Sequence, residues 1–317
     1  MNATATLPLF PDLPAAGRPG AADVPLRSRA GVSYFDLLAR DVMNRADSPR
    51  LPFQWTINPY RGCEFGCSYC YARSTHAFLD LDDPELFETR IFVKRRAAER
   101  LRRELRRRDL RGQTIAIGTA TDPYQPAEKR FEITRSLLEV LRDASDLSLS
   151  LTTKSPLLAR DLDLLVELDR RNSVEVHVTI TTVDAALARR VERQAPDPQA
   201  RLRLVRRIAE AGIAVRVNCM PLMPGINDAE EELAPLLAAA HEAGAMQVTA
   251  QPIFLKGLAR EHFWRWLESE FRELLPLYRH LFARRDYLDE AAKDELLKTF
   301  RRLRLAYGFP RAAPGRS

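Results

Sequence analysis

Six short segments of the chain alternate hydrophobic and polar residues with the two-residue period of a β-strand. Five of the six are separated from the next by a segment long enough for a helix. This alternation of strand and helix predicts an α/β protein built on a parallel sheet or barrel. The predicted strands are Phe53–Ile57, Thr114–Gly118, Leu147–Thr153, Val174–Thr181, Ile213–Cys219 and Gln247–Ile253.

The same alternation assigns side chains to the two faces of the sheet. Every second residue of a strand points the same way, and the valine-rich face of Val174–Thr181 is expected to meet the helices. A closed eight-stranded barrel fills its interior with branched apolar side chains. The polar inner face therefore predicts an open or enlarged barrel that holds a ligand. The inner residues of three strands are Ser148, Ser150, Thr152 and Lys154, then Glu175, His177, Thr179 and Thr181, then Gln247, Thr249 and Gln251.

The regions on either side of the strands differ in composition. Residues 1–50 are rich in Pro, Ala and Gly, which predicts a mostly flexible leader with a short helix around Tyr34–Met43. Residues 51–255 form the predicted core barrel. Residues 256–317 form a predicted helical extension that covers an open flank of the sheet. Within the core, Ser155 followed by Pro156 predicts a capped helix start.

Charge and hydropathy limit the partners and the location. The 317 residues carry a formal net charge of +6, which favours acidic partners, either nucleic acid or an acidic protein such as an electron donor. Much of the excess lies in Lys94–Arg111, where a solvated outer helix is the preferred interpretation and a partner footprint the alternative. We expect no membrane association and a cytoplasmic location, because no apolar run is long enough to span a bilayer and no export signal is visible.

Three of the four cysteines lie within eight residues. Cys63, Cys67 and Cys70 have the spacing C-x3-C-x2-C, which suits convergence on an iron–sulfur cluster. Three ligands leave one iron open, and an open position indicates chemistry rather than a structural role. A zinc site with His76 as the fourth ligand is the alternative. Cys219 shares the helix-facing side of its strand and is interpreted as a buried apolar residue.

The cysteine segment resembles the signature of the radical S-adenosylmethionine (radical SAM) superfamily, C-x3-C-x-aromatic-C, with Tyr69 at the aromatic position. The segments Asn58–Cys63 and Gly118–Pro126 are similar to the spore photoproduct lyase-like branch. The resemblance covers about residues 51–255. It implies a partial (β/α)6 TIM-type barrel with a 4Fe-4S cluster and S-adenosyl-L-methionine as cofactors.

The resemblance also implies roles for residues at matching positions. Cys63, Cys67 and Cys70 would hold the cluster, and the reaction would be reductive cleavage of S-adenosylmethionine to a 5′-deoxyadenosyl radical, with a substrate still to be identified. An acidic electron donor such as flavodoxin or ferredoxin would supply the electron. His177 is a candidate acid or base in the lumen, although a hydrogen-bonded structural histidine is the alternative. The implied cofactor contacts are Tyr69, Gly118, Thr119, Thr121, Asp122, Lys154, Thr181 and Asn218.

One departure bears on the substrate. The family's photoproduct lyases carry a cysteine near the end of the second strand, whereas this chain has Gly118–Asp122 there. Repair of a DNA photoproduct is therefore an alternative function, with Tyr124 as a substitute hydrogen donor. A further alternative is a non-catalytic zinc or iron–sulfur protein that binds nucleic acid.

Overall fold

The computed structural model describes residues 25–29, 31–46, 48 and 51–310. Within them the strands are β1 Arg27–Arg29, β2 Val32–Asp36, β3 Met43–Arg45, β4 Trp55–Ile57, β5 Tyr60–Arg61, β6 Arg90–Val93, β7 Thr114–Ile117, β8 Ser148–Thr153, β9 Ser173–Thr179, β10 Ala214–Asn218 and β11 Gln247–Thr249.

The α-helices alternate with the later strands. They are α1 Leu86–Thr89, α2 Ala97–Leu105, α3 Glu128–Phe131, α4 Ile133–Arg142, α5 Leu162–Asp169, α6 Ala185–Val191, α7 Pro198–Glu210, α8 Glu230–Glu242, α9 Gly257–Glu270, α10 Leu275–Phe282 and α11 Glu290–Ala306. Short 3-10 helices span Tyr71–Leu79, Pro156–Asp161 and Arg272–Leu274. The predicted start at Ser155 is confirmed, because its hydroxyl accepts a hydrogen bond from the Leu157 amide at 3.3 Å.

The larger sheet has the order β11-β10-β9-β8-β7-β4-β3. All pairs from β4 to β11 are parallel, and only β3 is antiparallel to its neighbour. Five of the six predicted strands contain one of the six parallel strands, and the sixth, Val174–Thr181, overlaps β9, which begins one residue earlier at Ser173. Within the described part of the chain, β11 and β3 are the two ends of the sheet and do not pair with each other. The prediction of an open, partial α/β barrel is confirmed.

A smaller sheet has the order β1-β2-β6-β5, and two of its strands, β5 and β6, follow β4 in the chain. The helix predicted around Tyr34–Met43 is wrong, because β2 pairs in parallel with β6 and β3 pairs with β4. Tyr34 and Phe35 are both buried, so tertiary packing determines the extended conformation here. Residues 1–24 of the predicted flexible leader lie outside the described residues, whereas its later part contains β1, β2 and β3. The division into a core and an extension stays a prediction.

The polar inner face of the barrel is confirmed by the register of its strands. Val174, Val176 and Val178 are buried on the helix side. On the other side the strands align polar residues in rows. One row contains Thr152, His177, Arg216 and Gln247, and the row nearer the carboxyl ends contains Thr179, Asn218 and Thr249.

Three hydrophobic clusters occur among the described residues, and the two larger ones support this architecture. The main core lies between the larger sheet and its outer helices. The second core joins α9 and α10 to residues 62–70, which we call the cysteine loop. The C-terminal helices therefore pack on the segment that carries the three cysteines. The second core includes Cys63, Phe65, Cys67, Tyr69, Phe263, Trp266, Tyr278 and Phe282.

The arginine-rich segment forms the outer helix α2. Ala97 and Leu101 are buried, whereas Arg102 and Arg106 are exposed, so the predicted amphipathic pattern is confirmed. None of the helices in the described ranges combines the length and hydrophobicity needed to cross a bilayer.

Candidate metal centre and cofactor pocket

The three cysteines of the cysteine loop face one small cavity. The loop begins after β5, and Cys70 precedes the 3-10 helix Tyr71–Leu79. The cavity has an empty volume of ≈ 170 Å³ and is lined by Cys63, Gly66, Cys67, Cys70, Arg73 and Phe87. Burial raises the pKa of Cys63, and it raises the pKa of Cys67 to about 12.

Two glycines give the cysteine loop its path. Gly62 has φ +83°, and a Cβ there would lie 2.8 Å from the carbonyl oxygens of Phe87 and Arg90. Gly66 has φ +59°, and its Cβ would collide with the Glu88 carboxylate. Only glycine adopts these angles without strain and also allows so close an approach. The wrap that brings the cysteines together therefore depends on both positions.

The loop after β7 holds the cysteine loop from one side. The Thr121 hydroxyl donates to the Gly62 carbonyl at 2.6 Å, and the fully buried Gln125 amide donates to the same carbonyl at 3.0 Å. The Cys63 amide donates to the carbonyl of Phe87 at 2.9 Å. Thr121, predicted as a cofactor contact, thus uses its hydroxyl to join the two loops. Sequence reasoning missed Gln125.

Arg73 holds the loop from the other side and was also missed. Its guanidinium is fully buried and donates to the carbonyls of Pro84 and Cys67 at 2.8 and 3.2 Å. It also pairs with Glu88 at 3.3 Å, and Glu88 accepts from Arg193 at 3.0 Å. A buried arginine needs such partners, because an unpaired buried charge is costly.

A buried ion pair supports Tyr69. The Tyr69 hydroxyl donates to Glu192, and Arg201 pairs with the second oxygen of Glu192 at 2.5 Å. Both charged side chains are 1% exposed. Cys67 and Glu192 also form a β-bridge through their backbones. Glu192 and Arg201 lie far along the sequence from the cysteines, and no local motif indicated them.

Lys154, which strand parity predicted on the inner face, lies beside the cysteine loop. Its ammonium lies 5.7 Å from the centre of the Tyr69 ring. Burial acts to lower the pKa of Lys154, but the Cys67 sulfur and the Glu192 carboxylate outweigh it and the net shift is upward. Across the described ranges, no carboxylate oxygen lies within 4.0 Å of this ammonium. It is a cation in position to bind an anionic group.

The loop after β7 approaches the same region. Gly118 has φ +89°, and a Cβ there would lie 2.7 Å from the Thr152 carbonyl oxygen. The Thr119 hydroxyl accepts from Asn58 at 3.1 Å. Asp122 is engaged in holding the loop, because its carboxylate accepts from the Thr153 hydroxyl and the Lys154 amide at 2.7 Å each. The loop is thus rigidly fastened to the end of β8.

The ends of β9 and β10 complete the pocket. Thr181 is 2% exposed, and its hydroxyl has no hydrogen-bond partner among the residues that the structure describes. The side-chain oxygen Oδ1 of Asn218 accepts a hydrogen bond from the Thr249 hydroxyl at 2.7 Å. His177 lies 3.4 Å from the same oxygen and 3.0 Å from Glu175. His177 therefore lies in the lumen, held on both ring nitrogens.

Three residues singled out in the sequence lie elsewhere. Tyr124 is not brought to the lumen, because its side chain is 1% exposed in the main core. Burial and the nearby carboxylates of Asp161 and Glu128 raise the pKa of its hydroxyl. The turn at Asp122 directs it away, so hydrogen donation by Tyr124 loses its support. His76 bonds the Arg90 carbonyl at 3.1 Å and does not line the cysteine cavity. Cys219 is fully buried in the main core, as predicted.

Comparisons with known proteins agree with this geometry. A family model described as the Radical SAM superfamily matches residues 57–267. An uncharacterized protein of Mycobacterium tuberculosis is 39% identical over 267 residues, which is 84% of this chain and 78% of that protein. An uncharacterized protein of Methanocaldococcus jannaschii is 27% identical over 237 residues, which is 75% of this chain and 84% of that protein.

Solved structures share the fold. Spore photoproduct lyase complexed with dinucleoside spore photoproduct aligns with a TM-score of 0.62 and 18% identity, over 87% of this chain and 79% of that chain. A double mutant of spore photoproduct lyase, with bound AdoMet and the same dinucleoside, aligns with a TM-score of 0.64 and 15% identity, over equal shares. Identities this low establish the architecture alone.

Proposed function

Because the chain belongs to the radical SAM superfamily, whose model and relatives match most of its length, we propose that Cys63, Cys67 and Cys70 hold a 4Fe-4S cluster with one open iron. The protein is an enzyme of this superfamily. The single observation that carries the proposal is the convergence of three free cysteines, two of them buried and Cys70 partly buried, on one cavity with a free lysine beside it.

The arrangement of the sulfurs favours a cluster over a single metal ion. In the part of the chain described, the three cysteine sulfurs do not all lie within 4.8 Å of one another. The potential ligand atoms of Glu85, Glu88 and His262 do. Four thiolates around one zinc lie only about 3.8 Å apart, from the Zn–S bond length of about 2.3 Å. A wider spacing fits ligands on the corners of a larger inorganic core.

The pocket beside the cysteines fits S-adenosylmethionine. We propose that Lys154 pairs with the cofactor carboxylate and that the orphaned Thr181 hydroxyl gains a partner on binding. Because Gly118 has no side chain, we propose that the loop after β7 approaches the bound S-adenosylmethionine closely. We propose contacts from Tyr69, Thr119 and Asn218 to the rest of the molecule. When bound, the two cofactors supply one-electron cleavage to methionine and a 5′-deoxyadenosyl radical.

The chain itself supplies orientation. The buried Glu192–Arg201 pair fixes Tyr69, and the fastened Asp122 fixes the backbone next to Lys154. Farther down the lumen, the polar row that contains His177 also contains Gln247, whose side-chain oxygen has no hydrogen-bond partner among the described residues and can accept from a polar substrate. The described cysteines are all free, which supports a reducing compartment such as the cytoplasm.

The test is anaerobic reconstitution with iron and sulfide, followed by reduction with S-adenosylmethionine present. We expect stoichiometric iron and sulfide, an absorption band of the cluster and formation of 5′-deoxyadenosine. A variant with Cys63, Cys67 and Cys70 replaced by Ala should lose all three signals, whereas Cys219→Ala should keep them. Stoichiometric zinc without sulfide in the native protein would refute the proposal.

A second experiment tests the cofactor pocket separately. Lys154→Met should weaken S-adenosylmethionine binding to the reconstituted enzyme by about tenfold to a hundredfold, the usual worth of a hydrogen bond to a charged group. Lys129→Met, which removes an exposed lysine of α3, is the matched control and should leave the affinity unchanged. Equal affinities for the two variants would remove Lys154 from the pocket.

A further inference from the structure

An open groove lies on the outside of the barrel, against the cysteine loop. Its walls are formed by α6, the residues that follow it and α9, and its empty volume is ≈ 1100 Å³. Ser68, which lies between Cys67 and Cys70, lines the groove. Ser68 is 2% exposed, and its hydroxyl has no hydrogen-bond partner among the described residues. The groove thus reaches the backbone of the metal ligands themselves.

The groove is positively charged. Four arginines line it, against the two glutamates Glu85 and Glu270, which leaves a net charge of +2 when His262 is neutral. Burial and the nearby Arg73 lower the pKa of His262 to about 4, so it is neutral at physiological pH. The four arginines are Arg189, Arg190, Arg193 and Arg265.

Two of these arginines have their charge available. Arg189 is exposed and makes no ion pair or hydrogen bond with any residue in the described ranges. Arg265 is 64% exposed, and its contact with Glu261 is long, at 3.9 Å. Exposed pairs of this kind contribute little and are easily exchanged for a partner's carboxylate. The groove therefore presents the unpaired Arg189 and the weakly paired Arg265 to the solvent.

The arginine-bearing segment is bonded to the cysteine loop. The Ser68 amide donates to the Val191 carbonyl at 3.0 Å, and Cys67 forms a β-bridge with Glu192. A partner seated among Arg189, Arg190 and Arg193 would thus sit directly over the metal ligands. The polar rows that would receive a substrate are on the inner face of the barrel. The groove and the lumen serve different partners.

We propose that this groove is the docking surface for an acidic one-electron donor protein of the flavodoxin or ferredoxin class. The inference rests on the proposed cluster. One electron passes from the reduced donor to the cluster, so the donor is oxidised by one electron and the cluster is reduced by one, and no covalent bond forms or breaks. Complementary charge speeds such an encounter and makes it sensitive to salt. The position over the metal ligands favours a donor protein over nucleic acid.

The experiment uses the reconstituted enzyme and reduced flavodoxin as the probe. Arg189→Glu combined with Arg265→Glu reverses charge in the groove without touching the buried ion pairs. The matched control, Arg102→Glu with Arg106→Glu, makes the same change in net charge on α2. Stopped-flow loss of cluster absorbance gives the second-order rate of reduction at low and high salt. Photoreduced methyl viologen, a small cation, reduces the cluster without docking.

We expect the groove variant to be reduced by flavodoxin at least about tenfold more slowly at low salt, with the difference shrinking at high salt. Its reduction by methyl viologen should not slow, and with that reductant it should still form 5′-deoxyadenosine. The α2 control should retain at least half of the native flavodoxin rate. Equal slowing of both variants, or none, would overturn the proposal. A selective loss of binding to a labelled DNA duplex, with the flavodoxin rate unchanged, would assign the groove to nucleic acid instead.

Failure of the proposed function would look different. In that case methyl viologen would yield no 5′-deoxyadenosine from any form of the protein, the native enzyme included.

Discussion

Replacing Glu192 by glutamine is expected to destabilise the protein by about 3 to 5 kcal/mol, the usual cost of leaving one member of a buried ion pair without its partner. The side chains of Glu192 and Arg201 are each 1% exposed, and their charged atoms lie 2.5 Å apart. Glutamine keeps an oxygen that can accept from Tyr69, so the variant removes charge with little change of shape. Among the described residues, the remaining Arg201 guanidinium would keep the carbonyls of Pro196 and Thr179 as acceptors.

The assay is a double-mutant cycle on the protein without cofactors. Urea unfolding at pH 7.5, followed by circular dichroism, gives the free energy of unfolding of the native chain, Glu192→Gln, Arg201→Gln and the double variant. We expect the double variant to be destabilised by about 3 kcal/mol less than the sum of the single variants, because neither charge is then left alone. The hydrogen bonds from Arg201 to the carbonyls of Pro196 and Thr179 are lost in both variants that lack Arg201, so they cancel in the coupling energy.

The matched control is the exposed pair Arg302–Glu230, whose side chains are 57% and 52% exposed. Solvent screening limits its coupling energy to below about 1 kcal/mol. If the buried pair gave a coupling energy no larger than the exposed pair, the role assigned to Glu192 would be refuted.

Three further predictions concern the loop, the core and pH. Gly62→Ala should lower the free energy of unfolding by about 1 to 3 kcal/mol and lower the iron bound on reconstitution, because the position has φ +83° and no room for a Cβ. The control Gly112→Ala, at φ +70° with nothing within 4 Å of the added Cβ, should leave the iron content unchanged. Cys219→Ala should lower the free energy of unfolding measured in urea and leave iron content unchanged, because this sulfur packs in the main core. The native chain should lose stability between pH 7.5 and pH 5.5, and His76→Leu should lose about 1.4 kcal/mol less over the same range. Urea unfolding at both pH values measures the difference.

The direction in which His76 makes stability depend on pH follows from its burial. Burial, together with the charges of Arg61, Arg73 and Arg90, lowers its pKa to about 4, against about 6.5 in an unfolded chain. The unfolded state therefore binds a proton first as the pH falls below about 6.5, and stability is lost progressively toward pH 4. An unchanged pH dependence in His76→Leu would contradict this assignment. Iron loss in Cys219→Ala would contradict the core role of that cysteine.

The sequence predicts the barrel well because its strands are encoded locally. Alternation within Val174–Thr181 is visible in a single segment, and the same pattern positions Lys154 toward the cysteine loop. The extended conformation of Tyr34–Met43 depends instead on pairing with β6 and β4, which local propensity does not reveal.

Long-range contacts also explain what was missed in the site. Tyr69 and Glu192 are 123 positions apart, and a glutamate after a surface helix gives no sign that it is buried. Tyr124 was misjudged for the opposite reason. It is close to the β7 loop in sequence, but the turn at Asp122 sends its ring into the main core. Proximity along the chain was a poor guide to direction in space.

The shared core between the cysteine loop and the C-terminal helices has a consequence for handling the enzyme in air. Phe263 of α9 and Tyr278 of α10 pack in the same core as Cys63 and Cys67. A chain shortened before α9 would keep every strand of the barrel and lose the wall in front of its sulfur ligands. We therefore expect the cluster proposed at these cysteines to be more exposed to oxygen in such a chain than in the native protein.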